Sequence, residues 1–205
     1  MATIGEFNLS AEGFEAVIFD CDGTLVNSMP SHFEAWCEAL SLHGAGGIFK
    51  EDVFYAMGGR PTKDIVVEIN DEYGLKLDPE KVAFTKREAF LKKLTQLDLI
   101  DEVAAFAESL RGKLPMAIAT GGTRLVIEKT LQAVGVSDLF EEVVTADDVK
   151  VGKPAPDIFL KAAQLLGVAP EKCLVLEDAP AGVMAAQLAG MTVISIPAPL
   201  NVARP

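Results

Sequence analysis

The chain alternates between short runs of apolar residues and longer segments in which apolar residues recur every three or four positions. A short apolar run bounded by turn residues predicts a buried strand, and the three-and-four spacing predicts a helix with one buried face. Strands are predicted over residues 16–20, 115–120, 141–145, 173–177 and 192–196. Helices are predicted over residues 30–42, 62–73, 79–94, 101–111, 123–134, 156–167 and 180–189.

The order of these elements predicts an α/β fold. After residue 97 strands and helices alternate, which is typical of parallel strands joined by right-handed crossovers. No strand is predicted between residues 29 and 97, where the chain reads as helical throughout. We therefore predict a Rossmann-like core with a parallel sheet, formed by residues 1–28 and 98–205, and an inserted all-helical domain formed by residues 29–97.

One long uncharged stretch, residues 179–200, has a length that would fit a membrane span. Prolines bound the stretch and Gly190 divides it. We therefore expect a buried helix followed by a buried strand, and no association with a membrane. The first ten residues lack a basic start and an apolar run, so no signal peptide is predicted.

The chain of 205 residues carries a formal net charge of -12. Such a surface is repelled by the phosphates of nucleic acids and by anionic lipid, so neither is a predicted partner. Its three cysteines have no short spacing, which argues against a disulfide framework or a zinc site. This pattern favours a reducing, cytoplasmic location. A monomer or weak homodimer is expected.

Pairs of acidic residues follow two of the predicted strands. The run A-V-I-F leads directly into Asp20 and Asp22, and the strand 173–177 ends at Glu177 and Asp178. Ligands of parallel sheets bind outside the carboxyl ends of the strands. If these two strands are neighbours, up to four carboxylates converge there. They cannot all stay ionised without a compensating cation, and Mg²⁺ suits carboxylates, waters and a substrate phosphate. The sequence therefore predicts a Mg²⁺ site formed by these four residues.

Groups that bind anions follow the other strands. Thr120 offers a hydroxyl, Gly121 and Gly122 allow backbone N–H groups to approach an anion, and Lys153 supplies a positive charge. Together with a metal ion, these groups describe a pocket for a phosphoryl group.

The two acids of the first strand then have separate predicted roles. One attacks phosphorus to form an aspartyl-phosphate, and the other donates and accepts protons. We assign the attack to Asp20 and the proton transfers to Asp22.

Four segments resemble the motifs of the haloacid-dehalogenase superfamily of phosphohydrolases, in the same order along the chain: D-C-D-G-T-L-V-N-S, A-I-A-T-G-G, G-K-P-A-P-D-I-F and L-E-D-A-P-A-G. The helical insert resembles the cap domain that this superfamily places after its first motif. The resemblance also implies that a backbone carbonyl of Asp22 binds Mg²⁺. Members that cleave haloacids lack this second aspartate, so the presence of Asp22 argues against haloacid cleavage.

The resemblance implies roles for the later motifs as well. It makes Thr120 and Lys153 the groups that bind phosphate, and it makes Asp178, supported by Glu177, the remaining metal ligand.

Within the superfamily, the chain resembles the branch of beta-phosphoglucomutases and small sugar-phosphate phosphatases. The arginine with which these mutases hold a second phosphate aligns with Pro61, beside Arg60, and the mutases tend to have D-G-V where this chain has Gly23 and Thr24. Both departures favour hydrolysis of sugar or sugar-alcohol phosphates. The alternatives are a phosphosugar mutase and a non-catalytic protein that binds a phosphorylated ligand.

Two residues of the insert are further candidates for binding the substrate. His32 lies in the segment S-H-F-E-A-W, which resembles a stretch shared by mutases and some phosphatases of the branch, and Arg60 lies in G-G-R-P-T. For each of them, a local structural or surface role is the alternative.

Overall fold

The structure is a computed structural model that describes residues 9–197. The segment on which the signal-peptide prediction depends lies mostly outside these residues, as do both outer ends of the predicted core. The strands are β1 (Ala16–Phe19), β2 (Met116–Ala119), β3 (Glu142–Val144), β4 (Cys173–Glu177) and β5 (Thr192–Ser195). The helices are α1 (Met29–Leu42), α2 (Glu51–Ala56), α3 (Thr62–Tyr73), α4 (Pro79–Leu91), α5 (Asp101–Leu110), α6 (Arg124–Ala133), α7 (Asp157–Leu166) and α8 (Pro180–Leu188).

The five strands form one parallel sheet in the order β3-β2-β1-β4-β5, which confirms the predicted α/β class. Phe19 pairs with Ile118 on one side and with Leu176 on the other. The first residues after β1 and β2 and the last residue of β4 therefore meet at one edge of the sheet.

The sheet is buried in its centre and partly exposed at one side. Every residue of β1, β2 and β4 is buried, because helices cover both faces. The prediction that the strand 192–196 is buried is wrong for Thr192 and Ser195, which are exposed. The physical reason is position, since β5 is an edge strand with a neighbour on one side only.

Alternate residues of the strands point into two apolar clusters, as the pleat of a strand requires. Val17 and Phe19 pack with residues of α5 and α6, and Ala16 and Ile18 pack with residues of α7 and α8. The core therefore has a layer of helices on each face of the sheet.

Helices α1 to α4, which we call the helical insert, lie between β1 and α5 in the chain. They share an apolar cluster of their own, which includes Trp36, Phe54 and Ile69. Phe90, near the end of α4, belongs instead to the cluster of the core. Helix α2 was not predicted, because six residues are too few for a three-and-four spacing to be recognised.

The two connections between core and insert run side by side. The backbone N–H of Asn27 donates to the carbonyl of Asp98, and that of Ile100 donates to Leu25, both at 2.9 Å. Val26 and Leu99 form an antiparallel bridge between these bonds. The insert is therefore joined to the core through one narrow paired neck.

Among residues 9–197, no helix has the length and apolar character needed to cross a membrane. The uncharged stretch forms α8 and β5 as far as the structure describes it. Cys21, Cys37 and Cys173 are all free thiols.

Candidate active site

Lys153 lies at the centre of the edge where β1 and β4 end. Its side chain is fully buried, and Nζ donates to Oδ1 of Asp20 at 2.6 Å, to Oε2 of Glu177 at 2.7 Å and to the carbonyl of Ala119 at 3.1 Å. The other oxygen of Glu177 accepts from the backbone N–H of Ala179 at 2.9 Å. The parallel pairing of β1 and β4 thus places one ammonium between two buried carboxylates.

A third carboxylate completes this acidic group. Oxygens of Asp20, Glu177 and Asp178 all lie within 4.8 Å of one another. Oδ1 of Asp178 accepts from the hydroxyl of Thr24 at 2.9 Å. Gly23 has a φ of 92°, and a Cβ at this position would collide with the carboxylate of Asp178. A glycine is therefore needed at position 23 for two reasons: the turn requires a positive φ, and the carboxylate of Asp178 occupies the space of a Cβ.

The charges of this group are not balanced by the protein alone. Burial, and then the charge of Glu177, raise the pKa of Asp20 well above its ordinary value, against the effect of Lys153. The same two causes raise the pKa of Asp178 to about 7. Burial opposes the charge on Lys153, but Asp20 and Glu177 outweigh it and raise the pKa of this lysine, which stays protonated. A divalent cation with oxygen ligands fits three carboxylates that share one ammonium.

The side chain of Asp22 points away from the acidic group. Its Oδ1 accepts from the hydroxyl of Ser28 at 2.6 Å and lies 3.0 Å from Nε2 of His32. Nδ1 of His32 lies 2.8 Å from Nζ of Lys86 on α4. The imidazole also stacks on Phe90, with the ring centroids 3.8 Å apart. Residues from the loop after β1, from α1 and from α4 therefore form one chain of hydrogen bonds that ends at Asp22.

The direction of these hydrogen bonds follows from the ammonium, which can only donate. Nδ1 of His32 accepts from Lys86, so the ring proton is on Nε2 and is donated to Asp22. Burial, and then the positive charge of Lys86, lower the pKa of His32, which favours this neutral form. Burial also lowers the pKa of Lys86 to about 8, against the attraction of Asp22.

Asp22 is held in its ionised form by this chain. Burial would raise the pKa of Asp22, but the contact with His32, the hydroxyl of Ser28 and the charge of Lys86 outweigh burial and lower it to about 2. In the metal-free protein the two aspartates of the first motif thus have pKa values shifted in opposite directions: Asp20 needs a bound cation to stay ionised, whereas Asp22 is ionised without one.

The loop after β2 lies beside these acids. The N–H of Thr120 donates to the carbonyl of Val144 at 3.0 Å, and its hydroxyl accepts from the N–H of Gly122 at 3.2 Å. A Cβ at Gly122 would lie 2.7 Å from the side chain of Ile127. Packing against α6 is thus a reason for this glycine that the sequence did not indicate.

The insert covers this edge of the core with a loop, residues 57–61. A Cβ at Gly121 would lie 2.6 Å from the carbonyl oxygen of Gly59. A Cβ at Gly152 would lie 2.9 Å from Cγ of Pro61. Because Gly121 and Gly152 have no side chains, the insert loop can pack directly against the backbone of the core at both positions.

Arg60 of the insert loop lines the cavity and forms an ion pair within the insert. Its Nη1 lies 2.6 Å from Oε2 of Glu68 on α3, and both side chains are partly exposed. His32, the other candidate of the insert, is buried, with both ring nitrogens bonded as described above.

A cavity of about 1180 Å³ lies between core and insert. Asp20, Asp22 and residues 120–123 line it from the core, and His32 and Arg60 line it from the insert. Lys153 and Glu177 lie buried beneath Asp20. The predicted acids and the residues predicted to bind phosphate thus lie together at the carboxyl ends of the strands, either lining one end of the cavity or buried directly beneath it.

Three residues that hold the acids were not predicted: Thr24, Ser28 and Lys86. Lys86 carried a usable signal, because it follows Val82 by four positions and precedes Phe90 by four, so a charged side chain falls on the buried face of α4. Thr24 and Ser28 carried no signal beyond their place in the first motif.

Comparisons with known proteins agree with this geometry. The model of the haloacid dehalogenase-like hydrolase family matches residues 14–190. The chain is 38% identical to the fructose-1-phosphate phosphatase YqaB of Escherichia coli, over 90% of this chain and 97% of that protein. It is 35% identical to hexitol phosphatase A of the same organism, over 91% of this chain and 85% of that protein.

A solved structure of a putative beta-phosphoglucomutase from Bacteroides vulgatus has the same fold, with a TM-score of 0.78 and 28% identity, over 92% of this chain and 78% of that chain. Both branches named by the sequence resemblance are thus represented. The chain belongs to the haloacid dehalogenase-like hydrolase family and is an enzyme of its phosphatase type.

Proposed function

We propose that this protein is a Mg²⁺-dependent phosphatase that hydrolyses small phosphorylated sugars or sugar alcohols through an aspartyl-phosphate on Asp20. The observation that carries the proposal is the pair of aspartates at the end of the cavity. Asp20 is held by Lys153 beside Glu177 and Asp178, and Asp22 is held separately.

Asp20 is the nucleophile in this proposal. Lys153 fixes one oxygen of its carboxylate at 2.6 Å, so the side chain enters the reaction already oriented. Attack on phosphorus forms the acyl phosphate and releases the alcohol of the substrate. Thr120 and the backbone N–H groups of Gly121 and Gly122 hold the oxygens of the phosphoryl group.

Asp22 is the general acid and base. Since Asp22 is ionised in the free protein, it must take up a proton when the phosphate ester binds beside it. It then passes that proton to the leaving alcohol and later takes one from the water that attacks the aspartyl-phosphate. His32 and Ser28 both bond to Oδ1 of Asp22, which orients the carboxyl group. His32, which the sequence analysis assigned to substrate binding, is thus a positioning residue through its contact with Asp22.

Asp20 and Asp178 are the proposed side-chain ligands of Mg²⁺, together with the backbone carbonyl of Asp22. Glu177 accepts hydrogen bonds from Nζ of Lys153 and from the N–H of Ala179, and so fixes the position of the lysine that orients Asp20. Bound Mg²⁺ supplies positive charge that neutralises the carboxylates and the phosphoryl oxygens.

The substrate class follows from the relatives and from the cavity. The two Escherichia coli relatives are named as phosphatases of fructose 1-phosphate and of hexitol phosphates. Arg60 is paired with Glu68 and Lys63 with Glu80, so these cations of the insert are already neutralised. A neutral sugar or polyol suits such a wall better than a second phosphate does.

Residues 29–97 act as a cap in this proposal, and residues 1–28 and 98–205 form the core domain. The neck around Val26 and Leu99 is the proposed hinge, and the insert loop closes over the substrate and excludes bulk water. A cytoplasmic location accords with the three free thiols, and the protein acts as a monomer or weak homodimer.

A phosphosugar mutase is the second candidate, and the putative mutase of the same fold favours it. A mutase must hold a second phosphate, and Arg60, the nearest cation to the aligned mutase position, is bound to Glu68. A non-catalytic binding protein is disfavoured by the complete set of acids at one end of the cavity.

A panel of phosphorylated metabolites, assayed with Mg²⁺ for both free phosphate and isomers, tests the proposal. We expect phosphate release from sugar or hexitol phosphates, and none from the Asp20→Asn variant once mass spectrometry has excluded deamidation. Isomer formation without free phosphate would establish the mutase. Absence of turnover on the whole panel would favour the binding protein.

A further inference from the structure

The cavity extends well beyond the acids that carry the proposed chemistry. Lys86 and Phe90, in the second half of α4, contact His32 beside Asp22. The lining continues along α4 through Phe84 and Lys81 to Glu80. At 1.5 Å per residue, the wall from Lys86 to Glu80 adds roughly 9 Å to the length of the site.

The volume of the cavity agrees with this length. Sites for drug-sized ligands usually occupy about 300 to 1,000 Å³. The cavity here measures about 1180 Å³. The cavity is thus somewhat larger than this range.

The cavity has exposed apolar surface on both walls. Phe84 of α4 is 57% exposed and Leu125 of α6 is 46% exposed, and both line the cavity. The guanidinium of Arg87 lies over the ring of Phe84, 5.1 Å from its centroid. An exposed aromatic ring that is held in place offers a flat apolar face for the C–H groups of a ligand ring.

Several polar groups of the outer part of the cavity are paired with each other. Nζ of Lys63 lies 2.6 Å from Oε1 of Glu80. Nε2 of His43 lies 2.9 Å from the hydroxyl of Thr85, which itself donates to the carbonyl of Lys81. Such pairs can exchange hydrogen bonds with the hydroxyl groups of a sugar.

We propose that this outer part, between Phe84 and Leu125, is a second subsite that binds an uncharged sugar or cyclitol ring joined to the phosphorylated one. The preferred substrates are then monophosphates of two-ring saccharides, with Phe84 as the platform for the distal ring. This inference rests on the proposed phosphatase function and names the substrate class of the same cavity.

The test compares glucose 6-phosphate with trehalose 6-phosphate, which differ only in the second ring. We expect the wild-type enzyme to have the higher kcat/KM for trehalose 6-phosphate. Phe84→Ala should lower the ratio of the two kcat/KM values about tenfold, mainly through KM, because the ring contact is made in both ground and transition states. Leu125→Ala should lower the same ratio. Leu188→Ala, which removes an apolar side chain that is 63% exposed outside the cavity, is the matched control and should leave both values unchanged.

Calorimetric titration of the Asp20→Asn variant with the same two compounds gives a readout that does not need turnover. Tighter binding of trehalose 6-phosphate, lost in Asp20→Asn/Phe84→Ala, would support the subsite. Equal or weaker binding of trehalose 6-phosphate, or no binding of either compound, would overturn it. Phosphate release from other monosaccharide phosphates would in that case leave the proposed phosphatase standing, whereas an inactive panel would overturn both.

Discussion

The core and the helical insert face the same cavity, but they hold their charged side chains differently. In the core, Lys153 bonds to Asp20 and Glu177 with side chains that are 0% to 5% exposed. In the insert, the pairs Arg60–Glu68 and Lys63–Glu80 have side chains that are 30% to 72% exposed. Buried pairs are costly to break and exposed pairs contribute little, about 1 kcal/mol or less.

This difference separates a fixed wall from an adaptable one. The core places its groups at the ends of three buried strands, where their positions are set by the sheet. The insert presents its groups on helices joined to the core by one narrow neck. Chemistry that needs fixed geometry belongs on the first wall, and discrimination among substrates belongs on the second.

The largest effect should come from Lys153→Met. Loss of the ammonium leaves three carboxylates without their protein countercharge, so we expect kcat to fall by about 10³-fold or more. The metal-free variant should lose roughly 3 kcal/mol of unfolding free energy. Kinetics and urea denaturation measure the two effects. Lys150→Met, an exposed lysine that lines the cavity, is the control, and a loss of activity as large as that of Lys153→Met would contradict the special place of the buried ammonium.

A smaller effect is expected for His32→Ala, where the two walls meet. The variant removes one donor to Asp22 and the link to Lys86, so kcat should fall by roughly 10²-fold with little change in KM. Because the contact with His32 lowers the pKa of Asp22, that pKa should rise toward its ordinary value. Carboxyl titration by NMR checks the shift. A change confined to KM would instead indicate that His32 touches the substrate.

The metal-free core should lose stability as the pH rises. The pKa of Asp178 is about 7 in the folded protein against 3.8 for an ordinary aspartate, so the folded state binds more protons than the unfolded state between these values. Asp178 therefore makes the free energy of unfolding fall as pH rises through this window, whereas His32, whose pKa is lowered in the folded protein, acts in the opposite direction below about pH 6.5. Urea denaturation in EDTA at about pH 5 and about pH 8 should show the loss, and Mg²⁺ should abolish it. Asp178→Asn should flatten the slope, and a slope of opposite sign in EDTA would refute this description of the acidic group.

The smallest effect is expected for Arg60→Ala on the insert loop. The exposed pair with Glu68 should cost less than about 1 kcal/mol of stability when broken. If Arg60 contacts the substrate, KM should rise several-fold while kcat is kept. Glu68→Ala is the matched control, since it breaks the same pair and leaves the guanidinium. A loss of kcat comparable to that of Lys153→Met would make the two walls alike.

Much of the fold and of the core wall could be predicted from the sequence. The apolar runs identified each strand because parallel strands are covered on both faces, and the acids were recognisable because they follow strands that must end at one edge. The order of elements did not fix which strands are neighbours, so the pairing of β1 with β4, which brings Asp20 to Asp178, was known only from the structure.

The insert wall could not be predicted in the same way. Lys86 reaches His32 across 54 positions of sequence, a contact that depends on how α4 packs on α1. The reason for Gly121 lies in the approach of Gly59, which belongs to a loop after an unpredicted helix. Long-range packing between short or irregular segments leaves no periodic signal in the chain.

The most direct measurement is the anomalous diffraction of a crystal soaked with Mn²⁺ in place of Mg²⁺. We expect a single strong peak bonded to carboxylate oxygens of both Asp20 and Asp178, with Lys153 still bonded to Asp20. A metal bound elsewhere, or no metal at saturating Mn²⁺, would contradict the proposed centre of the enzyme.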